Sequence, residues 1–154
     1  MTTSVETRGG TTEGRGLRGV GTIGLLLIVF GAIMFVAGVG TWVVVADQLA
    51  AEKITVAEDA DRFAGATVDT PWEAYAQADV INKHAMEGSG GKTYAELDRD
   101  DPARATVMNA SFLRASLFTS VVAFGVAFMA AALGVGFILT GWAFRRVARR
   151  ADVV

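Results

Sequence analysis

Two long runs without charge dominate the order of polar and hydrophobic positions along the chain. Residues 20–46 and 115–144 hold no Asp, Glu, Lys or Arg, over 27 and 30 residues respectively. As a helix the longer run rises roughly 45 Å at ~1.5 Å per residue. That exceeds a hydrocarbon core of ~30 Å, so each run is predicted to span a bilayer with tilt or with interfacial ends. The remainder is polar: a tail at 1–19, a 68-residue loop at 47–114 and a basic end at 145–154. The predicted fold is an all-α membrane protein, an antiparallel two-helix transmembrane hairpin with a small, mainly helical extracytoplasmic cap.

Smaller signals organise the loop. The first helix can continue through Gln48 to Glu52. Ile54-Thr55-Val56 and Ala66-Thr67-Val68 are short β-prone segments able to pair as a ribbon. Thr70-Pro71-Trp72-Glu73 reads as a helix start, with Thr70 as N-cap, Pro71 at the first helical position and Glu73 completing a capping box. That helix is predicted to run to about Met86 and to stop at Gly88-Ser89-Gly90-Gly91. Thr93 and Glu96 form a second capping box over a short turn, and Asp101-Pro102 opens the last helix with Asp101 as N-cap. With no breaker until the second span, one helix is predicted from Pro102 to about Val147. Its first ~15 residues would stand roughly 20 Å above the membrane. Ala105, Met108, Phe112 and Ala115 share a face there, which is predicted to receive the cap. Trp72, Tyr75 and Ile81 are predicted to pack on the protruding helix ends, while Glu58, Asp59, Asp61 and His84 read as solvated.

Small residues recur within the spans. Gly24, Gly31 and Gly38 are seven apart, as are Ser120, Ala127, Gly134 and Gly141. Seven-residue spacing keeps a side chain on nearly one helix face, drifting ~20° per heptad. Small side chains there let two backbones approach closely in lipid, so the stripes are predicted to form the packing seam of the hairpin. Either stripe could instead face another protein or a second copy of this chain.

Charge sets the orientation. Residues 1–19 hold three Arg and two Glu, and 145–154 hold four Arg and one Asp. The loop holds seven Lys or Arg against thirteen Asp or Glu. The sides denser in Lys and Arg stay cytoplasmic, so both termini are predicted inside a plasma membrane and the acidic loop outside. The 1–19 tail is predicted to be disordered. Trp42 and Trp142 lie where interfacial anchors belong. Val44-Val45-Ala46 looks like a cleavage site, yet the preceding run far exceeds the 7–15 apolar residues of a signal peptide. Asp47 and Arg114 flank the two spans on the same side and are predicted to pair across the hairpin. The overall composition agrees, with 52% hydrophobic residues and a mean hydropathy of +0.41.

The chemistry available is narrow. There is no cysteine and a single histidine, His84. One histidine cannot supply a two-His-one-carboxylate iron site or a three-His zinc site within one chain. Gly88 to Thr93 imitates the end of a phosphate-binding loop, but Met86 stands where the first glycine belongs. Asp98-Arg99-Asp100-Asp101 is broken as a calcium loop by Arg99, Pro102 and Ala103. Neither span holds an ionisable residue, which argues against a proton relay or a voltage sensor built by this chain alone. No catalytic residue, metal ligand or cofactor is predicted, and no nucleic-acid partner. The expected partners are the lipid bilayer and a membrane or envelope protein, or a further copy of the chain.

Four segments together resemble a known family. They are Glu52-Lys53-Ile54-Thr55-Val56, Tyr75-Ala76-Gln77-Ala78, Gly91-Lys92-Thr93-Tyr94-Ala95-Glu96-Leu97 and Asn109-Ala110-Ser111-Phe112-Leu113-Arg114-Ala115-Ser116-Leu117-Phe118-Thr119-Ser120. They look like small actinobacterial two-span membrane proteins, whose members are often labelled aromatic ring-opening dioxygenases. The resemblance implies the two-span topology, and its label implies iron-dependent ring cleavage. The residues themselves point to a non-enzymatic accessory or organising subunit that binds an envelope protein, with a homo-oligomeric pore and the dioxygenase as alternatives.

Overall fold

The computed structural model of the chain describes residues 13–151. Among them are three helices and no strand: α1, Glu13–Ala51; α2, Pro71–Gly88; and α3, Arg104–Ala151. The chain is thus all-helical, and two of its helices are long and apolar enough to cross a membrane. Gly19–Ala51 contains a stretch of mean hydropathy 2.6 and Arg104–Arg150 one of 2.4. Only 17% of either stretch is buried, so most of this apolar surface faces outward.

Two helix starts differ from the sequence expectation. Helix α1 already begins at Glu13, whereas disorder was predicted up to Gly19; residues 1–12 of that tail lie outside the described residues. Once a helix is nucleated, each added residue gains a hydrogen bond, so the span extends into its glycine-rich flank. Helix α3 begins at Arg104 rather than Pro102. Residues 102 and 103 form a turn instead, closed by the Arg104 N–H donating to the Asp101 carbonyl at 3.0 Å.

The chain divides into two compact units. One takes the chain up to Gly38 and from Met129 onward. Here backbone meets backbone. A Cβ placed on Gly31 would lie 2.5 Å from the Gly134 carbonyl oxygen, and one on Gly134 would lie 2.6 Å from that of Gly31. Gly24 stands against Gly141 in the same way, with a Cβ 2.7 Å from its carbonyl. Gly21 meets the Ala148 methyl, and Phe30 sets its ring edge-on to Phe137 at 5.4 Å.

The other unit, Val39–Phe128, contains α2 and the end of α1 with the start of α3. Its core joins Leu49 of α1, Val56 and Val68, Ala74 and Ala78 of α2, and Leu117 and Phe124 of α3. Trp42 tilts onto Phe124 at 4.7 Å. The ribbon forms around one antiparallel bridge, Thr55 to Thr67. The Val56 N–H donates to Ala66 at 2.8 Å and the Val68 N–H to Ile54 at 2.9 Å. Flanking the bridge, Val56 and Val68 both turn inward. Ala74 and Ala78 are fully buried one helical turn apart, and their small side chains let α2 come close. At the end of α2 the Gly91 N–H reaches the Met86 carbonyl at 2.7 Å, with Gly90 and Gly91 at φ +63° and +84°. Only glycine takes this left-handed turn freely.

The face of α3 used for this packing is not the predicted one. Val107, Leu117 and Phe124 are buried and Ala110, Arg114 and Val121 half-buried, whereas Ala105, Met108, Phe112 and Ala115 are exposed. The used positions advance by alternating steps of three and four residues, as a packed helix face must. Leu117 and Phe124 share this core with Ala74 and Ala78 of α2.

Candidate functional site

Against α2 the second unit opens a cleft of about 670 Å³. Trp72 and Tyr75 of α2, Val121 of α3 and the 59–63 loop line it. The start of α2 presents the aromatic pair. Thr70 is the N-cap and Pro71 the first helical residue, as expected, but Thr70 makes no side-chain bond to the helix backbone. Its hydroxyl donates to the Glu73 carboxylate instead. Tyr75 is held edge-on by Phe118 at 5.8 Å. Even so, Trp72 and Tyr75 stay 66% and 57% exposed.

Phe63 lines the cleft too, with φ +61°. A bulky side chain is an outlier there, and such a conformation costs on the order of 1–3 kcal/mol. A tight turn imposes it: the Ala66 N–H donates to Phe63 and the Gly65 N–H to Val56, both at 2.9 Å.

The polar rim is organised by Asp59. Its Oδ2 accepts a hydrogen bond from Nε2 of His84 at 2.8 Å and from Nζ of Lys83 at 3.3 Å. The His84 bond first, then Lys83, holds the Asp59 carboxyl below its ordinary 3.8. His84 is therefore not merely solvated, and neither is Asp59. Asp61, Arg62 and Asp79 also line the cleft and hold no ion pair among the described residues. The sequence carried no sign of the Asp59 cluster, because its members lie 24 and 25 positions apart and meet only when the ribbon folds back on α2. Its register is pinned by Gln77, whose Oε1 accepts the Ala57 N–H at 2.9 Å.

The sequence-predicted positions fall as follows. Gly24, Gly31, Gly134 and Gly141 lie at the close backbone approaches already described. Gly38 and Ala127 are buried, while Ser120 is half-buried and bonds its own helix at Ser116. Beside Ser120, Leu117 and Phe124 are the buried residues of α3, and at the other end of the stripe Ala148 is buried too. Asp47 and Arg114 form no ion pair. Asp47 lies off the face that carries Trp42, Val45, Ala46 and Leu49 and is exposed. The Arg114 guanidinium lies over the Phe118 ring at 5.8 Å, and its Nε is buried without a hydrogen-bond partner.

Glu96 performs its half of the second capping box, accepting both the Thr93 N–H and hydroxyl at 2.8 Å. These bonds, the backbone one foremost, hold the Glu96 carboxyl below its ordinary 4.5. Asp101 accepts the Ala103 N–H at 2.8 Å. Among the described residues no three His, Asp or Glu side chains converge as a metal site.

A second surface is the uncovered face of α3. Phe112 is 65% exposed and Leu113 55%, with Met108 exposed one turn earlier. These residues lie in the part of α3 that precedes the uncharged run, and the rest of the unit leaves them uncovered. The chain matches no protein-family model, no curated protein and no solved structure, and both surfaces rest on their geometry alone.

Proposed function

We propose that the chain is a non-enzymatic integral membrane protein of the plasma membrane, an accessory or organising subunit that holds another envelope protein. In this reading α1 and α3 form an antiparallel transmembrane hairpin, both termini are cytoplasmic, and residues 47–114 build most of an extracytoplasmic cap. The order of the glycine contacts, Gly24 with Gly141 and Gly31 with Gly134, supports the antiparallel arrangement. The position of the second core supports a shorter membrane segment than the uncharged run suggests. That core takes up α3 as far as Phe124, which leaves residues 125–144. Twenty residues rise ~30 Å, the thickness of a hydrocarbon core.

The observation that carries the partner-binding reading is the stripe of Met108, Phe112 and Leu113, apolar and exposed above that segment. A helix face of this kind in water is a surface for another protein. The acidic cap around it would favour a basic partner and exclude acidic ones.

The test is affinity purification from native membranes in mild detergent, with the protein partners and metals of the product measured. A stoichiometric partner that is retained by the wild type and lost with Phe112→Asp supports the reading. The chain recovered alone as a defined oligomer with ion flux would replace it with the homo-oligomeric pore. Bound iron with ring-cleavage activity would replace it with the dioxygenase that the family resemblance suggests.

A further inference from the structure

We propose that the cleft between α2 and the 59–63 loop is a binding site for the headgroup of a zwitterionic aminophospholipid, phosphatidylethanolamine, in the outer leaflet. The proposal rests on the two-span reading given above, because that reading sets the depth of the cleft. Val121 lines it four positions before residue 125. Four residues of helix rise ~6 Å, which puts this lining residue in the headgroup zone. The exposed Trp72 and Tyr75 then stand at the level where amphipathic aromatic rings are stable.

The charges select the headgroup. Arg62 and Lys83 supply cationic donors for a phosphate. Lys83 gives one hydrogen bond to Asp59 and remains 55% exposed, so its ammonium keeps donors available. Asp61 and Asp79, which hold no ion pair among the described residues, lie on the same cleft and suit a primary ammonium. A lipid with net negative charge meets these carboxylates without a counter-charge of its own. A lipid carrying both signs satisfies both sets. The volume of about 670 Å³ is of the size that holds a small ligand, and the indole, phenol and Val121 side chains offer apolar surface to the glycerol and the first acyl carbons.

The experiment is native mass spectrometry of the full chain in an uncharged detergent, titrated with phosphatidylethanolamine and, separately, phosphatidylglycerol. One phosphatidylethanolamine per chain is expected, with phosphatidylglycerol about tenfold or more weaker, and the double variant Arg62→Ala/Lys83→Ala should weaken phosphatidylethanolamine about tenfold or more. Asp61→Asn/Asp79→Asn should remove the preference between the two lipids. Trp72→Ala, at an exposed position outside the core, should weaken both. Equal binding of the two lipids by the wild type, or phosphatidylethanolamine binding unmoved by the Arg62/Lys83 double variant, overturns the proposal. So does a cleft found occupied by a co-purified peptide. Helix content by circular dichroism identifies any variant that fails to fold, and the remaining variants then decide. Single-cysteine labelling at Asp100 and Arg150 separates the two failures. Labelling on opposite sides without lipid selectivity overturns only the headgroup site, and labelling on one side overturns the two-span reading itself.

Discussion

Asp59 shows how a few side chains give a loop its shape. Hydrogen bonds from His84 and then Lys83 hold its carboxyl below 3.8. A carboxylate shifted in this direction contributes stability that is fully present above its unfolded value. That contribution is lost as pH falls through the lower, folded value. The contact is therefore intact at neutral pH and is lost only in acid, as pH falls below 3.8. Following the Asp59 carboxyl carbon by NMR through an acid titration should give a midpoint below 3.8 in the wild type and a higher one in His84→Ala. An unchanged midpoint would show that His84 does not stabilise the charge. Glu96 shifts in the same direction for a local reason, its bonds to Thr93 within one turn. That is why the Thr93–Glu96 pair was legible in the sequence as a capping motif and the Asp59 cluster was not.

At the scale of the element, the glycines are not equivalent. Gly31 and Gly134 each stand against the other's backbone, whereas Gly40 and Gly136 have open space where a Cβ would go. Gly134→Ala forces two backbones apart and should destabilise the protein by about 1–3 kcal/mol, the cost of overpacking. Gly136→Ala should be neutral or stabilising by up to about 1 kcal/mol, the difference in helix propensity. Thermal unfolding of both variants in detergent tests this, and equal midpoints would mean that the glycine contact contributes nothing. Heptad spacing of small residues made this stripe readable in advance. It did not reveal that the buried residues of α3 near Ser120 are Leu117 and Phe124, because these join the core built with Trp42, the ribbon and α2 rather than a facing glycine.

For the whole molecule, the absence of cysteine makes the topology directly measurable. In intact cells, Asp100→Cys should react with a membrane-impermeant maleimide, and Arg150→Cys should react only after permeabilisation. Labelling of both from one side would refute the hairpin, whatever the partner.

The sequence alone determined the features that depend on neighbouring residues. Charge-free runs of 27 and 30 residues make helices apolar enough for a membrane, and the turn chemistry at Thr70, Gly90 and Asp101 sets helix ends to within a few positions. Only the tertiary structure decided which face of α3 is buried, why Asp47 and Arg114 stay apart, and that a cleft forms beside Asp59. An apolar helix offers several faces of similar hydrophobicity, and the one buried depends on the shape that meets it. Here that shape is a core shared by Leu49 of α1, the ribbon's Val56 and Val68 and the α2 alanines, and the register of that ribbon is a long-range property of the chain.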